Sequence, residues 1–346
     1  MCNMLDKTRL QVQFSVKALI ISAFDLTGVF NRDKIKWICK HTLLIFKGMN
    51  ELEEKKFRFK EGSFLELLNY KDLLYQLVAR DIKLKYRRSF LGYVWSILNP
   101  LLIMIIMSIV FTLLFNKKTE YFPIYLMCGR TVFEFIKTAT TKSMDAITGN
   151  ASLLKKTYVS KFMFPMSKIT ASMVDFVFSL GAMVVLMAAL SLIDGVFLFS
   201  WKNIGIVIVI IEAYIFSMGL GFFLAALDVF FRDIKYIYNA ILTMWLYMSA
   251  IFYNIGLFYD RAAKQKKLGE TQTAYILAKF IDYCNPAYIY IKQFRAFVWS
   301  PVISDVPFWQ VMAPKDFILG FGYAFLMFFI GVAVFRKTQD KFILYI

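Results

Sequence analysis

YKDLLYQLVARDIKLKYRRSFLGYVWSILNPLL, residues Tyr70 to Leu102, changes character at its midpoint, and that change decides the fold. In the first half Leu67, Tyr70, Leu74, Leu77, Val78 and Ile82 recur at helical spacing, with Glu66, Lys71, Asp72, Arg80 and Lys83 among them. A helix so patterned lies along lipid headgroups with its apolar side down. Past Leu91-Gly92 the charges stop, and the apolar run continues from Tyr93 to Phe115, long enough for the roughly 20 helical residues that cross a bilayer. The stretch therefore reads as an interfacial helix, a turn in which Gly92 supplies permissive backbone angles, and a first membrane span. Pro100 removes one hydrogen bond of that span and is expected to kink it.

Four further runs of the same kind follow: Met166 to Leu192, Ile204 to Leu227, Tyr236 to Leu257 and Phe317 to Phe335. Each is helical, because a lone segment in lipid must satisfy its own backbone hydrogen bonds. A sixth, Phe122 to about Lys142, carries Arg130, Glu134 and Lys137. Spacings of four and three put these on one helical face, either as an ion-paired set packed between helices or as a polar patch on a hydrated path. Asp175 and Glu212 stand isolated and receive no role. Six spans place both termini on one side. That side holds the basic first 92 residues, the loop with Lys155, Lys156, Lys161 and Lys168, the Arg232 turn and the tail with Arg336, Lys337 and Lys341. The positive-inside rule makes it cytoplasmic. A five-span chain would split the basic termini across the membrane. Val12 to Phe30, broken by Lys17 and Asp25, is read as a surface helix and not as a seventh span. Outside, the long stretch from Phe258 to Asp316 contains two short helices within Tyr275 to Trp299, interrupted at Asn285-Pro286 and lying in or dipping into the outer interface.

The composition agrees with this reading. Of 346 residues 59% are hydrophobic and 18% aromatic, with a mean hydropathy of +0.57, more apolar surface than a soluble core hides. The net charge of +17 invites a nucleic-acid reading, but the basic residues lie before and between the apolar runs, which suits anionic lipid. Cys2, Cys39, Cys128 and Cys284 form no close pair and His41 is the only histidine, so neither a disulfide framework nor a metal site is expected. The opening MCNMLDKTRLQVQF lacks the order of a cleaved signal peptide, so the N-terminus is expected to remain. No G-x-x-x-x-G-K-[ST] phosphate loop occurs, so ATP hydrolysis of the P-loop type is not expected of this chain. Trp95, Tyr121, Tyr125, Trp201, Tyr236 and Tyr253 are expected at membrane interfaces, where Trp and Tyr collect; flat aromatic faces also suit sugar rings.

The Tyr70 to Leu102 block resembles the start of the permease subunits of ABC-2 type exporters for O-antigen, teichoic acid and capsular polysaccharide. Arg80-Asp81, Tyr86-Arg87-Arg88, Leu91-Gly92, Trp95 and Asn99-Pro100 stand in the order and spacing of that family. Gly129 with Phe133 and Phe135 is similar to its second span, with Arg130 and Thr131 where bulky apolar residues are usual. Asn150, Leu153-Leu154-Lys155-Lys156 and Phe164-Pro165 resemble its coupling segment, and Phe230-Phe231-Arg232-Asp233 its short cytoplasmic turn. Ser249 to Tyr253 is similar to the end of its fifth span, with Ala250 where proline is common. Asn285-Pro286 and Phe294-Arg295 resemble the outer gate helices before its last span. The likeness runs from about Phe64 to Phe335.

The resemblance implies an all-α integral membrane protein with six transmembrane helices, an N-terminal amphipathic interface helix and short outer gate helices. Residues 1–63 form a cytoplasmic extension without an assigned role, 64–92 the interface helix and entrance turn, 93–335 the six-span domain and 336–346 a cytoplasmic tail. It further implies a bacterial inner-membrane homodimer with two ABC ATPase subunits, which bind the ATP and Mg. No cofactor or metal belongs to this chain, its partners besides membrane lipids being a second copy, the ATPase and a lipid-linked polymer. Lys83, Lys85, Arg87, Arg88, Leu91 and Gly92 would form the substrate entrance, with Arg forks gripping a pyrophosphate; the same basic residues serve equally as topology anchors. Asn150, Leu153, Leu154, Lys155 and Lys156 would couple to the ATPase, the two leucines being the sharper candidates because a partner would cover them. Asn285, Pro286 and Arg295 would belong to the outer gate.

Three functional classes follow. The first is an ATP-driven exporter of lipopolysaccharide O-antigen, capsule or a teichoic-acid-like polymer. The second is an ABC-2 permease for a small lipid or drug, against which the Tyr86 to Pro100 block speaks. The third, a membrane enzyme of polysaccharide assembly, needs carboxylates or histidine in membrane-facing loops, where only Asp228 and Asp233 lie close together.

Overall fold

The computed structural model describes residues 70–87, 91–115, 121–156, 159–267, 273–303 and 314–345, all within one compact unit. The expected N-terminal extension, the start of the interface helix and Arg88 lie outside the described residues. Among the described residues every regular element is a helix. They are α1 (Lys71–Tyr86), α2 (Trp95–Phe115), α3 (Phe122–Thr148), α4 (Ala151–Lys156), α5 (Met163–Asp194), α6 (Ile206–Phe230) and α7 (Ile234–Met248), then α8 (Gly256–Lys267), α9 (Thr273–Cys284), α10 (Pro286–Val298), α11 (Ser300–Ile303), α12 (Pro314–Thr338) and α13 (Phe342–Tyr345).

Among the described residues three helical segments are long and apolar enough to cross a membrane: Met163–Asp194, Trp201–Phe230 and Pro314–Tyr345. They extend the sequence-based spans by two or three residues at each end, except that the last runs ten residues past Phe335 to Tyr345. α2 matches the expected first span and passes through Pro100 as helix. The run Tyr236 to Leu257, expected as one span, is not one helix. α7 has 15 residues, about 22 Å at 1.5 Å each, and stops at Met248. Ala250 then takes φ 47°, the left-handed region that a Cβ disfavours, and the chain restarts as α8.

The packing centre is the pair α3 and α6. Both are buried along most of their length and flanked by α5, α10 and α12. α6 and α12 make the closest approach. A Cβ at Gly331 would overlap the Gly219 carbonyl, and one at Gly219 would run into the Met327–Phe328 backbone. Small residues of this kind let helices pack backbone to backbone where lipid supplies no hydrophobic drive. α2 and α7 stand differently. α2 exposes Leu102, Ile105, Ile106 and Ile109, and in α7 only Tyr238 and Leu242 are buried. α10 departs from the sequence-based picture of an interfacial helix: nearly every residue from Ala287 to Val298 is buried against α3, α6 and α12, so it inserts into the bundle. At the opposite end α13 folds back, burying Phe342 against Phe335 and Phe230. There Lys161 donates to the Gln339 carbonyl at 2.7 Å, and burial pushes its ammonium pKa down against the pull of Asp340.

Candidate functional site

Polar chemistry gathers at the two ends of the bundle. At the first end, α1 lies against α5, with Leu77 as its one buried side chain among those described. Asp81 pairs with Lys168 at 2.8 Å and Arg80 at 3.3 Å, while Arg80 also donates to Asn150 at 3.3 Å. Asp175 of α5 receives Lys85 at 2.8 Å and Lys142 at 3.1 Å. An open pocket of ≈ 720 Å³ lies among these residues.

The expected entrance residues are therefore split. Lys85 points at α5 and its charge is met by Asp175. Lys83 and Arg87 are exposed on another side of α1, where with Arg80 and Tyr75 they line a shallow cleft of ≈ 510 Å³. Two cations four residues apart on an open face can receive a di-anion, the guanidinium bidentately. Leu91 is exposed, and Gly92 has φ 48°, the left-handed conformation expected of the entrance turn.

The expected coupling residues form α4, joined to α3 without a break in hydrogen bonding. The Gly149 N–H donates to the Asp145 carbonyl at 2.8 Å, and the N–H groups of Leu153 and Leu154 both donate to the Asn150 carbonyl at 3.0 Å. Leu154 is buried and Leu153 packs partly on the same core. The chain itself covers Leu154, while Leu153 is half-buried. The free face of α4 is Ser152, Lys155 and Lys156.

The three charges of α3 behave as a pair and a single residue. Glu134 and Lys137 lie 3.4 Å apart with side chains 45% and 46% exposed, so the pair stands on the protomer surface and not between helices. No ion pair joins Arg130 to Glu134 among the described residues.

At the second end, the residues expected at the outer gate meet the broken end of α7. Asn285 caps α10, its side chain accepting from the Tyr288 N–H at 3.2 Å and from Trp245 Nε1 at 2.7 Å, and donating to the Met248 carbonyl at 3.0 Å. Pro286 occupies the first position of α10, where its missing N–H costs nothing. Arg295, one of the buried charges, donates to the carbonyls of Ile251 (3.0 Å), Ala250 (3.1 Å) and Tyr125 (3.3 Å), and lies 3.6 Å from the centre of the Tyr125 ring. The Ala250 and Ile251 carbonyls lie past the last turn of α7, where backbone acceptors need donors from elsewhere, so a guanidinium is suited to them, and the Tyr125 ring adds a cation–π contact. Gly129 makes the space: a Cβ there would stand 2.8 Å from Arg295 Nη2. Tyr125 is thus buried beneath Arg295, whereas Trp201 and Tyr236 are exposed.

Sequence reasoning missed the partners: Asp175, Lys142, Lys168, Asp145 and Lys235 at one end, Trp245 and Tyr125 at the other. The one available signal was that a carboxylate inside a span, such as Asp175, must find a cation. Glu212 is also fully buried, packed against Gly320 and near Gln293 between α6, α10 and α12.

Residues 72–261 match the family model described as ABC-2 type transporter. The chain is 30% identical over 203 residues to the O-antigen export system permease protein RfbA of Myxococcus xanthus, covering 59% of this chain and 76% of that one. It is 27% and 26% identical over 182 residues to two proteins of the same name from Klebsiella pneumoniae, covering 53% of this chain and 69% of each. The family match takes in the α1 ion pairs, α4 and the whole of α7, and on this evidence the chain is a member of the ABC-2 type transporter family.

Proposed function

We propose that this chain is the membrane subunit of an ATP-driven exporter that moves a lipid-linked polysaccharide across the bacterial cytoplasmic membrane. The carrying observation is the likeness to O-antigen export permeases over most of their length. Six spans then run through α2, α3, α5, α6, α7 with the segment after it, and α12, with both termini cytoplasmic. The α1 end faces the cytoplasm and the α10 end faces out. Two copies face each other through the apolar sides that α2 and α7 leave exposed, and two ABC ATPase subunits hydrolyse ATP beneath them; this chain carries out no catalysis. The Ser152, Lys155 and Lys156 face of α4 meets the ATPase. Lys83, Arg87 and Arg88 receive the pyrophosphate of the lipid carrier at the turn formed by Leu91 and Gly92.

Reconstitution tests this. The chain purified with its ATPase should hydrolyse ATP and carry an undecaprenyl-pyrophosphate-linked oligosaccharide across a vesicle membrane. Arg87→Lys with Arg88→Lys keeps the charge but loses the planar fork, and should lower substrate-stimulated hydrolysis while basal hydrolysis stays. Export at the wild-type rate by that variant would return the two arginines to topology anchors. Failure of the wild-type pair to transport would refute the exporter reading.

A further inference from the structure

α7 is attached to the rest of the chain by polar contacts at its ends and midway, and along one face by Leu242 and Trp245, which pack on the core. At its start Lys235 forms a hydrogen bond with the Asp145 carboxylate of α3 and lies 3.4 Å from that of Asp228 on α6. Asp228 is 1% exposed, and its other oxygen accepts from Thr148 at 3.3 Å. Midway, Tyr238 and Thr140 share a buried hydrogen bond of 2.7 Å. At its far end Trp245 and the carbonyls of Met248, Ala250 and Ile251 are held by Asn285 and Arg295. Between these points Ile237, Ile241, Met244 and Tyr247 are exposed.

Asp145 lies at the last turn of α3, and hydrogen bonds continue from it through Asn150 into α4. A displacement of α4 therefore moves Asp145, and Asp145 holds Lys235. Resting on the exporter reading above, we propose that α7 is the lever between α4 and the outer helices, and that Lys235, clasped by Asp145 and Asp228, is the positioning residue that engages it. A helix is stiff along its axis and this one is clasped at both ends, so a shift at Lys235 arrives at Asn285 and Arg295. Coupling by this route requires an element with two arrangements that both ends bias, and α7 meets the structural part of that requirement.

Cys284, exposed beside Asn285, reports on the far end, while Cys128 is buried. The test uses the full chain with Cys2→Ser and Cys39→Ser, purified with its ATPase in lipid nanodiscs. Maleimide labelling of Cys284 is timed with and without ATP, and ATP hydrolysis is measured on the same sample. ATP should change the labelling rate of the parent complex about fivefold or more. Asp145→Ala, at an exposed helical position, should keep the ATPase bound and hydrolysing but lose the change in labelling; Asp145→Glu should keep it. A parent complex that hydrolyses no ATP refutes the exporter reading. A parent that hydrolyses ATP without altering Cys284, or an Asp145→Ala complex whose labelling still responds, overturns the lever and leaves that reading standing. Loss of the ATPase from the Asp145→Ala complex would place Asp145 in docking and overturn the lever as well.

Discussion

The clamp at the end of α7 and the ion pairs under α1 use the same kinds of group to different effect. Arg295 is buried and gives its donors to backbone carbonyls, which are fixed by the chain path in a way that side-chain partners are not. Lys85 and Arg80 are 46% and 42% exposed, and their partners are side chains that water can replace. Desolvation turns a hydrogen bond into a commitment: a buried partner left alone has nowhere else to go, whereas an exposed one rehydrates. The first region fixes a shape, and the second holds one helix against another reversibly.

Arg295→Met breaks that comparison most severely. It takes the donors from the Ala250 and Ile251 carbonyls and leaves space beside Gly129, and should cost about 3–5 kcal/mol, read as a large fall in the melting temperature of the detergent-solubilised chain. Arg295→Lys should recover only part of this, since one ammonium cannot reproduce the fork. A loss of less than about 1 kcal/mol would mean that water already reaches the clamp. Asn285→Ala removes the cap of α10 and the acceptor for Trp245, an expected loss of about 2 kcal/mol, with a change in Trp fluorescence as a second readout.

Ala250→Gly sharpens the comparison from the other side. The φ of 47° strains alanine, so glycine should raise stability by about 1 kcal/mol, and Ala250→Val should lower it by more. The smallest effect belongs to the α1 end. Asp175→Asn should cost less than about 1 kcal/mol in 0.15 M salt, with the difference from the parent shrinking further at 1 M. A loss from Asp175→Asn as large as that from Arg295→Met would show the two regions to be energetically alike.

The comparison also explains what the sequence made legible. The spans of α5, α6 and α12 could be read because membrane helices declare themselves by length and apolarity, signals local to each segment. The break at Asn285-Pro286 could be read for the same reason, since a cap followed by proline is a local instruction. Arg295 could be flagged as a gate residue by resemblance, but not its three acceptors, which come from two other segments. The burial of Leu154 in the chain's own core could not be read, because lipid, partner and own core all ask for an apolar side chain. The stop at Met248 left no apolar signature either; Ser249 to Asn254 has the composition of a span and differs only in the backbone angle at Ala250.

The contact between Gly219 and Gly331 has a bearing on how the protein is made. α6 leaves the ribosome well before α12 exists, so the most intimate seam of the bundle closes only after the intervening segments have been threaded. Until then one flank of α6 is open to lipid, and with it Glu212, whose carboxyl packs against Gly320 of the same late helix. A nascent chain stalled before α12 would carry an unshielded acid at membrane depth.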